Sequence, residues 1–177
     1  MHTLLTLTVL RPHGNLVSEL AKQESGIRNL NSTADPLYPF NPLFFPITIL
    51  PVQPASKKEI ASVLDPIKEK LQNTRVEPFI EHLFIKDNWL YAGLVHPCFT
   101  QEGAGVSIAK FPSFKTQLGI PLAFSKETIP PSLNIEQAGI KKLRVFTLSI
   151  LSFSWNEENE YSFSWGEIGS TWVKIEK

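Results

Sequence analysis

The chain has 177 residues, 42 % of them apolar and 19 % charged, which suits one soluble globular domain, or two small lobes packed together, with enough material for a core. Lysine plus arginine equals aspartate plus glutamate at 17 each, so there is no electrostatic case for general nucleic-acid binding. Cys98 is the one cysteine, which excludes an intrachain disulfide and a cysteine zinc cluster.

The opening MHTLLTLTVLRP lacks the basic start of a signal peptide, and no apolar run reaches the roughly 20 residues that cross a membrane. A cytoplasmic protein without membrane contact is expected. Residues 3–10 alternate as a strand. Pro12 suits the first turn of a helix whose stripe is Leu16, Val17, Leu20 and Ala21. Residues 25–43 read as loop, pinned by Tyr38 and Phe40. FFPITILPV then predicts a buried strand over 44–50. Ser56 and Glu59 form a capping-box pattern, and Ile60, Val63, Leu64, Ile67 and Leu71 recur at helical spacing. Pro66 should kink or divide that helix.

FIEHLFIK and WLYAGLVH flank Asp87-Asn88 as a hairpin. A short helix at 101–111, a strand at 117–124 and a polar stretch at 126–142 follow. The tail is β-rich: KLRVFTLSILSFSW, EYSFSW and TWVKI predict three strands. In the first, Phe146, Leu148 and Ile150 share a face, then parity switches to Leu151, Phe153 and Trp155. A β-bulge near Ile150 is expected from that slip. Few helices and many hairpins indicate an α+β fold of antiparallel sheets with helices outside.

This order resembles the two-histidine phosphoesterase superfamily, which includes the 2′-5′ RNA ligase-like proteins. The resemblance implies a single bilobal domain over 1–177, with two pseudo-symmetric lobes that face each other across a cleft. Each lobe of that family carries a His-x-Thr/Ser-x motif. Here Tyr38 and its loop lead into Pro46-Ile47-Thr48-Ile49, and the second motif falls at Gly119-Ile120-Pro121-Leu122. Pro46 and Gly119 thus stand at the two histidine positions, and neither can carry a proton. Thr48 keeps one hydroxyl, while Pro121 replaces the other. The resemblance therefore implies a degenerate relative with no catalytic residue of the family type.

The expected ligand is a nucleotide or another phosphate-containing small molecule in the former cleft, met by Thr48, Pro46, Gly119, Pro121 and Tyr38. Arg11 and His13, at a strand-to-helix turn, add a candidate anion site. No cofactor and no metal is expected. Two other readings compete: an enzyme relocated to His82, His96 and Cys98, and a protein-interaction module whose cleft is filled by Phe44, Phe45 and Pro121. The tail aromatics, including Trp165 and Trp172, read first as the core side of strands. Base stacking on them is disfavoured, because no basic residue interleaves with them in the sequence.

Overall fold

The computed structural model describes residues 2–13, 17–22, 38–40, 42–86, 88–99, 119–125, 141–156 and 163–176. The expected helix at 101–111, and most of the stretches 25–43 and 126–142, lie outside these residues. In chain order the elements are β1 (His2–Pro12), a helical segment α1 (17–22), β2 (Tyr38–Pro39), β3 (Phe45–Leu50), α2 (Lys57–Thr74), β4 (Phe79–Lys86), β5 (Trp89–Val95), a 3-10 turn at Pro97–Phe99, β6 (Ile120–Phe124), β7 (Lys141–Lys142), β8 (Val145–Asn156) and β9 (Phe163–Lys174). Two antiparallel sheets result. Sheet A runs β3-β1-β8-β9 and sheet B runs β2-β6-β5-β4-β7. The α+β class is as expected.

β1 is central in sheet A, and its residues from Leu7 to Leu10 are buried. Alternation sends Leu10 to a core under α2, shared with Phe45, Phe146, Leu148, Ile150, Leu64 and Leu71. Leu7 and Val9 point the other way, into an aromatic core with Phe40, Phe44, Trp89, Tyr91, Phe124 and Phe153. Both cores draw on both sheets, so the sheets are welded on two faces. Thr8 is buried among these apolar groups, and its hydroxyl accepts the Thr48 amide at 3.1 Å.

Four expectations change. Pro12 ends β1 opposite Phe146 and does not open a helix. α2 runs unbroken through Pro66 to Thr74, so the proline does not divide it. The described part of EYSFSW, from Phe163, and TWVKI up to Lys174 belong to one strand, because β9 is continuous from Phe163 to Lys174 against β8. Finally, the bulge expected near Ile150 is present, in the β8–β9 ladder between Ile150 and Leu151, but β8 itself does not slip, since its pairing with β1 advances one for one from Phe146 to Asn156. Its apolar parity switches because the cover changes: Phe146, Leu148 and Ile150 meet the helix-side core, whereas Leu151 and Phe153 meet the aromatic core. The bulge lies in β9. Ile150 pairs with Gly169 and Leu151 with Glu167, which leaves Ile168 as the extra residue.

α2 starts as a capped helix. Ser56 Oγ accepts the Glu59 amide at 3.2 Å, and the Glu59 carboxylate reaches the Ala55 amide, one residue before the cap, at 2.8 Å. It stops at Arg75, whose φ of 52° is left-handed. Arg75→Gly is therefore expected to stabilise the fold by about 1 kcal/mol, since a Cβ is unfavourable there. Leu64→Ala, in the core under α2, is expected to cost about 2–5 kcal/mol. Chemical denaturation of both variants checks these opposite signs.

Candidate functional site

The residues expected to line the cleft are mostly interior. Pro46 is buried in β3 beside the irregularity where Thr8 pairs with Thr48 and Val9 with Pro46. A proline is tolerated there because β3 is an edge strand of sheet A and the ladder is already broken. Gly119 lies against β5 so closely that a Cβ would stand 2.4 Å from the Ala92 carbonyl oxygen. Backbone proximity dictates that glycine, and no side chain at 119 can be aimed into a cleft without moving β5. Pro121 is buried opposite Tyr91, and Tyr38 stacks on Phe124 at 5.5 Å. Phe40 occupies the centre, 5.1 Å from Trp89 and 5.8 Å from Phe44. The region around Pro46 and Pro121 is thus aromatic core among the described residues.

Thr48 is exposed on β3, and its hydroxyl lies 2.6 Å from that of Thr8. Thr8 pairs with Ile150, a member of the helix-side core, so this hydroxyl pair belongs to the opposite face from Leu7 and Val9. Thr48 is consequently apart from Arg11 and His13, which continue the Leu7-Val9 alternation.

The polar groups of that second face form one strip. Along β8, Phe153 and Leu151 lie in the aromatic core, and Ser149 and Thr147 follow on the same side. Arg11 Nη1 meets Glu167 Oε2 at 2.7 Å, and Ser149 Oγ donates to the same oxygen at 3.1 Å. The Arg11 guanidinium also lies over the Trp165 ring at 5.5 Å. His13 is hydrogen-bonded through Nε2 to the Thr147 hydroxyl, and its ring packs on Trp172 at 4.7 Å. Trp165 is 42 % exposed and Trp172 61 %. Trp165 and Trp172 are seven apart in sequence, so simple alternation places them on opposite faces. The extra residue Ile168 reverses the parity and brings both to one face.

The strip is electrically balanced. Burial raises the Glu167 carboxyl, but hydrogen bonds from Ser170 and Ser149 and the Arg11 guanidinium outweigh it, and the pKa falls below its ordinary 4.5. The His13 pKa is lowered by burial and by Arg11, against a smaller pull from Glu167. Near neutral pH the described residues between Trp165 and Trp172 and their β1 neighbours hold one cation, one anion and a neutral imidazole, with Lys174 following beyond Trp172. This set is suited to stacking and to hydrogen bonding, not to attracting charge.

The alternative catalytic set does not assemble. His96 is 1 % exposed beyond the end of β5. Its Nε2 faces the Val76 carbonyl at 3.1 Å and the Thr74 hydroxyl at 3.2 Å, and its Nδ1 accepts the Cys98 amide at 3.1 Å. The Cys98 bond makes Nδ1 an acceptor, so this network assigns the proton to Nε2. It ties the end of α2 to the 3-10 turn. His82 sits elsewhere, on β4 across from Gly93, with Glu81 at 3.6 Å. Among the described residues no group of three or more histidine, cysteine or acidic side chains is placed to hold a metal.

The pH dependence follows from burial of His96, which lowers its pKa from 6.5 more than the Val76 bond raises it. The unfolded chain then takes up this proton first, so its contribution to stability is complete above pH 6.5 and is lost as pH falls below that value. His13, shifted the same way, adds to the effect. Thermal unfolding from pH 7.5 to pH 5.5 (roughly one unit either side of the ordinary histidine pKa) is expected to show a falling midpoint, and His96→Asn is expected to flatten part of that fall. No family model matches the chain, no curated protein matches it, and no solved structure matches it.

Proposed function

We propose that this chain is a binding protein and not an active phosphodiesterase, built on a plan like that of the two-histidine phosphoesterases with both proton-transfer positions lost. It takes a ligand whose rings pack on exposed indoles, of which a nucleotide is the case the resemblance suggests. The ligand sits on the strip of sheet A that carries Arg11, His13, Trp165 and Trp172, and not beside Pro46. One observation carries this reading: two exposed indoles on one face flank a fixed set of donors and acceptors. Covering an indole removes a large apolar area from water, so two on one face offer a ligand a strong stacking contribution.

Two further facts bear on it. Phe44, Phe45 and Pro121 are all buried, the arrangement named above for the protein-interaction alternative, and it argues against a ligand beside Pro46. The second proton-transfer position, Gly119, has no room for a side chain. General acid–base catalysis contributes about 10²- to 10⁴-fold for each group, so loss of both leaves no useful turnover.

Hydrolysis assays with 2′,3′-cyclic nucleotides and 2′-5′ oligonucleotides are expected to give the buffer rate. Introducing Pro46→His with Gly119→His is expected to leave that rate unchanged and to lower the unfolding midpoint, because the Ala92 carbonyl must move. Turnover by the native chain that is lost in His82→Ala with His96→Ala would sink the proposal.

A further inference from the structure

The charge balance and the length of the strip narrow the ligand. Phe153 and Thr147, which pair with Trp165 and Trp172, are six residues apart on β8. At about 3.3 Å per residue the two indoles stand about 20 Å apart along the strand. A ligand that meets both is extended, and it lies on a sheet face instead of entering a pocket. Between the rings it passes the Glu167 carboxylate, the Arg11 guanidinium and the Ser149 hydroxyl. This set suits groups that both donate and accept hydrogen bonds, as hydroxyls do.

A polyanion fits poorly. Arg11 is already paired with Glu167, and that carboxylate faces any phosphate brought to the strip. Single-stranded nucleic acid needs a basic groove beside its stacking rings, and among the described residues the charges between the two indoles, Arg11 and Glu167, cancel. A sugar ring is uncharged, has an apolar C–H face that packs on an indole, and carries hydroxyls around its edge.

We propose that this strip is a glycan-binding surface: an uncharged oligosaccharide lies along β9, with its rings packed on Trp165 and Trp172 and its hydroxyls bonded to the Arg11–Glu167 pair. The proposal rests on the stacking reading above and moves its ligand from a nucleotide to a neutral sugar chain. Recognition of this kind is insensitive to salt, because no counterions are released.

The test is calorimetric titration of the full chain with cello-, xylo- and malto-oligosaccharides, with oligoadenylate in parallel, at low and high salt. Binding of at least one neutral series is expected. It should weaken roughly tenfold in each of Trp165→Ala and Trp172→Ala, and salt should leave it unchanged. Thermal unfolding checks that these exposed positions leave the fold intact, and Glu167→Gln, which keeps the shape of the strip, provides a second variant expected to weaken binding. Absence of binding by every glycan overturns the proposal. If oligoadenylate alone binds, and through the tryptophans, the glycan assignment fails while the stacking reading stands. Glycan binding that neither tryptophan substitution moves defeats both.

Discussion

The single extra residue in β9 is the constraint on which the polar face of this protein depends. Ile168 has no partner on β8, and its side chain packs against the helix-side core. Next to it, Gly169 lets α2 approach: a Cβ there would stand 2.7 Å from Ile60 Cγ2. Helix docking and bulge are therefore parts of one contact. The consequence lies on the other side of the sheet. With the bulge, Trp165 and Glu167 on one side of it, and Ser170 and Trp172 on the other, all face Arg11, Ser149 and Thr147. Without it, half of them would turn under α2.

The same economy governs the two faces of sheet A. Near β1's centre both faces are covered, so Leu7, Thr8, Val9 and Leu10 are all buried and the only polar group among them is bonded to its neighbour strand. Toward Arg11 the cover on the aromatic side ends, and the residue types change on three adjacent strands, staggered from strand to strand: Val9 to Arg11 on β1, Leu151 to Ser149 on β8, and Trp165 to Glu167 on β9, with Val9 opposite Ser149 and Leu151 opposite Glu167. An apolar core grades into a polar strip with its rings still in place. Burial and hydrogen bonding within the strip are opposed at Glu167, and hydrogen bonding wins. Two hydroxyls and a guanidinium hold this partly exposed carboxylate in its ionised form.

The proposed likeness to two-histidine phosphoesterases rests on element order in the sequence, and the two positions it would match to the histidines have packing roles in this fold. Pro46 fits an edge strand at a ladder break. Gly119 fits a backbone contact with Ala92. Neither borders an open cleft among the described residues, since Phe40, Phe44, Trp89 and Phe124 form an aromatic core there. His96 illustrates the same point from the other direction. It has the residue type for catalysis, but three hydrogen bonds commit it to holding α2 against the turn at Pro97–Phe99.

Local periodicity determined much of this structure directly. The alternation of β1, the capped helix from Ser56, and the hairpin around Asp87-Asn88 are short-range features, fixed by side-chain period, cap and turn, and each is where the sequence places it. What tertiary structure alone decided is which strands adjoin and how many faces each buries. The parity switch at Leu151 reads as a bulge in β8 when one face is assumed to be buried, but it comes from cover on both faces, with the bulge in the neighbouring strand. Basic residues do not interleave with tryptophans along the chain, yet Arg11 and His13 meet Trp165 and Trp172 because β1 and β9 flank β8 from opposite ends of the sequence. Sequence neighbours share a period, whereas a site assembled from three strands depends on register, and register is set by the packing of the whole sheet.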